Sequence, residues 1–512
     1  MDQRVAIIVW GSRGDVQPFI ALALELKKSG ANVKLCLGAD MQFLCTPFLS
    51  PEDCCLMPNV LMQDFIKNDP TVREAMAKGS FMKFLKLLES PPLLKGMVAD
   101  GKFLLREMIA FDPHLVVYAS TCSPFGLVIA QALKIPSVYM SMQMMIEGSS
   151  IELPGMLGIS QKVARRLPSC AVSLMWRMLF KLISSSKLFT VFDREMRCKC
   201  IRGAKPLTTI QKIDLIRGRS EGCTRMVALS PTLTPPPADW TEQSKKCLIG
   251  SMILSSRLQV QAWPPSQELK AFLDKENHEA APVYFGWGSM IAWSPTYMVE
   301  LAVRTLKAIG RRGIILAGWA ELRLELLEQS NSADAAELHE FATQNVHFLT
   351  DESAPHEWLF PQMEVIVHHG GAGTSASAMR SGKPSIITPC FADQPELAQK
   401  IERVGGGIGL KQFHSVKLSD LVDAVARAIC DPELRASASR LGDTLRNECG
   451  AAKAAAHIML RCREAEERVK LSVKPHVHIA DSTGTRKSAL RQSGTKLLAE
   501  ADSMYSENYI SV

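Results

Sequence analysis

One stretch of the 512-residue chain carries most of the chemistry. The apolar run Val365-Ile366-Val367 ends in His368-His369-Gly370-Gly371-Ala372-Gly373-Thr374. A continuous apolar run bounded by glycines reads as a buried strand, and the residues after it open a helix. A helix N-terminus offers unpaired N–H groups and the positive end of the dipole. Glycines let a phosphate approach that backbone closely, and two histidines can add hydrogen bonds to a diphosphate. No Lys-Ser/Thr follows the glycines and no Gly-x-Gly-x-x-Gly is present, so this is neither of the commoner phosphate loops. The competing reading is a structural glycine turn with core histidines.

Two other places could serve the same reaction. Asp393-Gln394 follows the next apolar run, Ser385–Thr388, and its Pro389. A carboxylate that accepts and an amide that accepts and donates can together hold several sugar hydroxyls. Alone, an Asp-Gln pair is only a helix cap. Near the N-terminus, Gly11-Ser12-Arg13-Gly14-Asp15 closes the apolar run Val5–Trp10. Asp15 then stands at the carboxyl end of a strand, where α/β proteins bind ligands. Burial would raise its pKa from about 3.9 and make it a better general base. The alternative is that Asp15 caps the helix that follows. Arg13 can pair with Asp15 or with phosphate. Tyr118 ends the 115–118 run, so no second carboxylate is evident to orient Asp15.

These residues need strands and helices in alternation to hold them. Val5–Trp10, the tight turn, a helix beginning near Pro18 and ending at Gly30, and the strand Val33–Leu37 make a β-α-β unit. Leu115–Tyr118 reads as a strand and Pro124–Leu133 as its helix, with residues 60–110 helical and interrupted. Val172, Met175, Trp176, Leu179, Phe180 and Ile183 share one helical face. That face can be core packing, the wall of an acceptor cleft or a membrane contact. Proline punctuation at Pro231–Pro237 and at Trp263-Pro264-Pro265 marks a junction. A second series follows: strand Val283–Phe285, helix Pro295–Ile309, strand Gly313–Ala317, then the runs already named with a helix Pro395–Val404. The expected organisation is an N-terminal α/β domain over 1–240, a linker over 241–280 and a C-terminal α/β domain over 281–450. A final helix over 451–468 and a disordered tail over 469–512 complete it.

Composition fits this outline. Hydrophobic residues make up 47% and charged residues 22%, which is ordinary for a globular protein. The net charge of +7 is not spread evenly: residues 160–220 hold fourteen Lys/Arg and three Asp/Glu, or +11, leaving −4 for the rest. A local basic face suits an anionic membrane surface or an acidic ligand, or is simply solvated. It does not by itself imply nucleic acid. The fourteen cysteines form no Cys-x-x-Cys pair, and no Asp-x-Asp cluster suggests a metal. Six opening apolar residues are too few for a signal peptide, and no run of about 18 apolar residues exists. A cytoplasmic location is expected, with peripheral membrane contact as an addition.

Taken together the motifs resemble a known family. His368-His369-Gly-Gly-Ala-Gly-Thr374 followed by Pro389-x-x-x-Asp393-Gln394 is similar to the donor-binding signature of two-domain nucleotide-sugar glycosyltransferases of the GT-B type. The resemblance is greatest to sterol glucosyltransferases and to glycopeptide-antibiotic glycosyltransferases. Gly11-Ser-Arg-Gly-Asp15-Val-Gln-Pro18, Gly286-Trp-Gly288-Ser289-Met290 and Pro355-His356-Glu-Trp358-Leu-Phe-Pro361 extend it over about residues 1–450. It implies two Rossmann-like α/β domains facing across a cleft. His368 would contact the diphosphate with the backbone of Gly370, Gly371, Ala372, Gly373 and Thr374. Asp393 and Gln394 would hold the sugar, Ser289 would lie near the phosphates, and the 354–358 segment with His356 and Trp358 would line the base pocket. Asp15 would be the catalytic base, with Arg13 and Gly14 in the acceptor-side loop.

The implied activity is inverting, metal-independent transfer of a hexose, with UDP-glucose as the expected donor and no resident cofactor. The acceptor would be a lipophilic alcohol such as a sterol or terpenoid. The alternatives are another specialised-metabolite aglycone with a UDP-, TDP- or GDP-sugar, or a non-catalytic nucleotide-sugar-binding subunit. Trp287 departs from the family's phenylalanine, and residues 140–220 offer nothing to match.

Overall fold

The computed structural model describes residues 3–472 except 60, 62, 144–147, 155–162, 164, 275–279 and 351–354. Two six-stranded sheets organise the chain. The first holds β1 (Gln3–Ile8), β2 (Ala31–Gly38), β3 (Cys54–Met57), β4 (Leu115–Ala119), β5 (Ser137–Ser141) and β6 (Cys223–Val227). Their order is β3-β2-β1-β4-β5-β6 and every pairing is parallel. The second holds β7 (Val283–Gly286), β8 (Gly313–Leu316), β9 (Val346–Leu349), β10 (Ile366–His368), β11 (Ser385–Ile387) and β12 (Gly407–Gly409). Its order, β12-β11-β10-β7-β8-β9, is parallel throughout.

Parallel strands are covered by helices on both faces, so their residues are apolar in continuous runs. Val5, Ala6, Ile7, Ile8 and Val9 are all fully buried, as are Val365, Ile366 and Val367. The α/β class and the two-domain arrangement expected from the motifs are what the strands build. Each sheet reverses its strand order once, between β1 and β4 in the first and between β10 and β7 in the second. Such a reversal opens a crevice at the carboxyl ends of the two diverging strands, which is where ligands bind in sheets of this kind. The loops at those two crevices are the Gly11–Asp15 turn and the His368–Thr374 turn.

The last helix, Gly450–Ser472, is not an appendage. Ala454, Ala455, Ile458 and Cys462 are buried, and Gln3 Nε2 donates to Glu466 Oε1. The chain's end therefore packs back onto its beginning. The helix runs four residues past the expected 468; the rest of the expected tail lies outside the described residues.

The helix Ser169–Ser184 carries the expected apolar face. Val172, Trp176, Leu179 and Phe180 are buried against Leu153 and Ile216, with Met175 and Ile183 packed beside them. Of the three readings of that face, core packing is the one found, in a satellite cluster of the first domain. No helix among the described residues is long and apolar enough to cross a membrane. All fourteen cysteines are free.

Candidate donor and catalytic site

Two helices begin head to head. The helix Arg13–Lys28 starts at the Gly11–Asp15 turn, and the helix Ala372–Arg380 starts at the glycine turn of the second domain. A Cβ built on Gly373 would stand 3.7 Å from the Gly14 carbonyl oxygen, so the two turns are in near contact. The dipole of each helix presents its positive end there, together with first-turn N–H groups that have no intrahelical acceptor. The second of these helices begins at Ala372, with Gly371 as its N-cap.

An open cleft lies beside this junction. The first domain lines it with Ser12, Arg13, Gly14, Gln17 and Pro18. The second domain adds Ser289, His356, His369, Gly373 and Thr374. Seven of the residues singled out above thus share one cleft wall: Arg13, Gly14, Ser289, His356, Gly373 and Thr374, with His369 of the same motif. Trp358 is placed elsewhere, half-buried against the second domain's core. Residue 354 lies outside the described residues.

His368 stands directly behind the cleft. It ends β10 opposite Gly286 of β7 and is fully buried. Its Nδ1 accepts the N–H of Gly370 at 3.1 Å, and its Nε2 has no partner. Burial, helped by His369 and His356, lowers its pKa to about 3. The ring is therefore neutral, and because Nδ1 accepts, the proton sits on Nε2. That leaves a buried N–H donor unsatisfied, which costs free energy until an acceptor arrives. Gly370 has φ +87° and a Cβ there would press on Ile387, so the turn requires glycine. His369 Nδ1 is likewise buried without a partner, and burial brings its pKa to about 4.

His356 stacks on Phe360 with ring centroids 4.5 Å apart and meets Tyr284 edge-on. Burial, then the positive charge of Arg13 and the neighbouring His369, lowers it to about 3. The influence of Arg13 is a cross-domain one: the guanidinium also lies 4.7 Å from the Trp263 ring. Its Nε also donates a long bond to Gln17 Oε1 at 3.4 Å.

Asp15 occupies the third position of its helix. Its Oδ2 accepts the Ser12 N–H at 2.8 Å and the Ser12 hydroxyl at 3.1 Å. Both readings of this residue are thus compatible: one carboxylate oxygen caps the helix, and Oδ1 has no protein partner among the described residues. Burial raises its pKa, and the Ser12 bonds only partly oppose this. A Cβ on Gly11 would fall on the Asp15 carboxylate, which explains the glycine.

Asp393 faces Asp15 electrostatically: burial first, then the charges of Glu396 and Asp15, push its carboxyl up to about 7. It sits at the N-cap of the helix Gln394–Arg403, yet its side chain makes no capping bond. The residue before it, Ala392, is held at φ +54°. A non-glycine residue in this conformation marks strain, and such strain clusters at functional sites. Gln394 is buried beside it with a different task. Its Oε1 accepts the N–H of Cys390 and of Phe391, both at 2.8 Å, and its Nε2 lies 3.3 Å from Met290 Sδ. The amide ties the Pro389–Asp393 loop in place.

Trp287, where the resemblance implies phenylalanine, is buried, and its indole N–H donates to Thr388 Oγ1 at 2.9 Å. The Thr388 N–H in turn donates to the His368 carbonyl at 2.9 Å. The larger ring therefore braces the strand end that carries His368.

Several cleft residues went unmarked in the sequence. Leu316 ends β8, and Gly318 and Trp319 follow it at the same carboxyl edge; Met252, Ile253, Leu254 and Gln259 come from the segment joining the domains. The edge rule alone would have found the first three. The joining segment reads as proline punctuation and gave no such signal.

The comparisons agree with this geometry. The family described as Erythromycin biosynthesis protein CIII-like, C-terminal domain, matches residues 331–463, and the Glycosyltransferase family 28 N-terminal domain matches residues 5–47. A sterol 3-beta-glucosyltransferase of Arabidopsis thaliana is 28% identical over 467 residues, covering 88% of this chain and 64% of that protein. One of Leptosphaeria maculans is 26% identical over 474 residues, covering 92% of this chain and 29% of that protein. The chain therefore spans less than two thirds of the length of these relatives. Among solved structures, the glycotransferase of kitacinnamycin is similar with a TM-score of 0.60 at 19% identity, covering 90% of this chain and 99% of that one. The glycosyltransferase VinC, solved with dTDP, gives 0.55 at 15%, covering 90% and 100%. Part of each domain is matched by a family model and the whole arrangement is matched in structure, so the chain has the GT-B fold.

Proposed function

We propose that this chain is a hexosyltransferase that moves a sugar from a nucleoside-diphosphate donor to a hydroxyl of a lipophilic acceptor, with inversion. The observation that carries the reading is the buried, unpartnered Nε2–H of His368 behind a helix N-terminus. A neutral donor and a positive dipole end together suit the charge that gathers on a departing diphosphate. In the proposed step Asp15 Oδ1 takes the proton of the acceptor hydroxyl. The acceptor oxygen bonds to the anomeric carbon as that carbon's bond to the diphosphate oxygen breaks. The electron pair leaves with the nucleoside diphosphate. Attack from the face opposite the leaving group inverts the anomeric centre. Ser12 positions the base by holding Oδ2, and Asp393 is assigned to the sugar hydroxyls.

UDP-glucose is the proposed donor and a sterol the proposed acceptor, on the strength of the two named sterol 3-beta-glucosyltransferases. Leaving-group stabilisation is assigned to protein groups, so EDTA is expected to leave turnover intact. The test is a panel of UDP-, TDP- and GDP-sugars with sterol and terpenoid acceptors, read by mass spectrometry. A glycosylated sterol from UDP-glucose supports the reading; transfer to none of the acceptors with any donor sinks it.

A further inference from the structure

The helix Ser169–Ser184 has a second apolar face that the fold leaves uncovered. Leu174, Met178 and Leu182 follow one another at four-residue spacing and are 54%, 63% and 45% exposed. Leu167, just before the helix, is exposed as well. The opposite face is anchored in its own core cluster, so the helix cannot roll to hide these side chains. Trp176 fixes it further, its indole N–H donating to the Glu152 carbonyl at 2.7 Å. Glu152 also pairs with Arg403 of the second domain at 3.3 Å.

The charges around the stripe have one sign. From residue 163 to residue 187 the chain has five Lys/Arg and no Asp or Glu. Arg165, Arg166, Arg177 and Lys181 are exposed, and none makes an ion pair among the described residues. Elsewhere on the surface comparable cations are paired, as in Lys199 with Glu195 and Lys245 with Glu242. Aliphatic side chains in a row with unpaired cations beside them match a surface that is apolar within and anionic at its face. A protein groove would have to supply carboxylates at the positions of Arg177 and Lys181 while offering an apolar slot between them.

We infer that this stripe docks the N-terminal domain on an anionic lipid bilayer, with Leu174, Met178 and Leu182 entering the headgroup boundary and Arg165, Arg166, Arg177 and Lys181 meeting lipid phosphates. The inference does not depend on which sugar or acceptor the cleft takes.

The experiment is co-sedimentation of the full chain with phosphatidylcholine vesicles, with and without 30% phosphatidylserine, at low and at 0.5 M salt. The protein is expected to pellet with the anionic vesicles, to stay in solution with the neutral ones, and to be released by salt. Changing Leu174, Met178 and Leu182 to Ser is expected to weaken vesicle binding by about tenfold or more. The melting temperature should not fall, because the side chains are exposed. A separate R177E/K181E variant should lose binding to a similar degree. No pelleting of the parent with anionic vesicles overturns the inference. So does a triple-Ser variant that binds as the parent does, or a parent dimer without lipid that the triple-Ser change converts to monomer.

Discussion

His368 Nδ1 accepts the Gly370 N–H, and this single bond decides which nitrogen meets the donor. With Nδ1 occupied and the ring neutral, Nε2 carries a buried hydrogen that the protein leaves unused. A hydrogen bond to a charged acceptor is worth about 1.5–3 kcal/mol. His368→Ala is therefore expected to raise the Kd for UDP roughly 10- to 100-fold, measured by calorimetry at pH 7.5. Unchanged affinity would mean that the diphosphate lies elsewhere.

Asp15 can be separated into its two oxygens. Asp15→Asn keeps an oxygen for the Ser12 bonds, so folding and UDP affinity should hold while kcat falls by about 100-fold or more. Gly11→Ala tests the same group from outside, since its Cβ would displace the carboxylate. It should lower kcat and leave UDP affinity near the parent's. Steady-state kinetics checks both; an Asn variant as fast as the parent removes Asp15 from the mechanism.

Asp393 has a carboxyl pushed up to about 7 from an ordinary 3.8, chiefly by burial. The unfolded chain releases that proton near pH 4 and the folded chain near pH 7. Between those values the folded state holds more protons, so this group's contribution to stability is greatest below pH 4 and is lost as pH rises to 7. Asp393→Asn removes the loss. Without ligand, the variant is expected to melt higher than the parent at pH 8, with the gap closing toward pH 4. Its turnover should fall at the same time, if the carboxylate holds sugar. A variant that melts below the parent at pH 8 refutes the burial account.

The readability of this chain followed the strength of its local signals. Val5–Trp10 and Val365–His368 are continuous apolar runs ending in glycine turns, and both strand and turn stand where those residues indicate. Strands β3, β6, β9 and β12 at sheet edges, and β5 inside the first sheet, are only three to five residues long, too short for a clear period, and the sequence does not announce them. Asp15, His356 and Ser289 were legible as motif members. The side-chain direction of Gln394 was not, because it depends on the backbone N–H groups of Cys390 and Phe391 exposed by the strained Ala392. Nor was the return of the last helix to Gln3, a contact between residues 463 positions apart. Periodicity describes a face and not what will cover it.

Trp287 offers a test of packing behind the site. Its indole fills space beside Phe413, with centroids 5.4 Å apart, and its N–H satisfies Thr388. Trp287→Ala should cost about 3–5 kcal/mol through the cavity it leaves. Trp287→Phe removes the hydrogen bond and part of the ring, and is expected to cost less, about 1–2 kcal/mol. Denaturant unfolding gives both values. Equal losses would show that Thr388 and not ring volume sets the role of this residue.

Three buried histidines predict how the protein meets acid. His356 and His368 are lowered to about 3 and His369 to about 4, each mainly by burial. In the unfolded chain each titrates near 6.5. Below that value the unfolded state binds protons that the folded state refuses, so stability from these groups is complete above pH 6.5 and is lost as pH falls. Each contributes up to about 1.4 kcal/mol per pH unit in that window. The raised carboxyls of Asp15, Glu357 and Asp393 oppose this trend, and a fourth histidine lowered by burial, His347, adds to it. The melting temperature should accordingly drop between pH 7 and pH 5. His356→Phe keeps the stack on Phe360 and removes one titrating group. Its melting temperature should fall less steeply with acid than the parent's. A variant with the parent's slope would mean that His356 accepts its proton as readily in the folded chain as in the unfolded one.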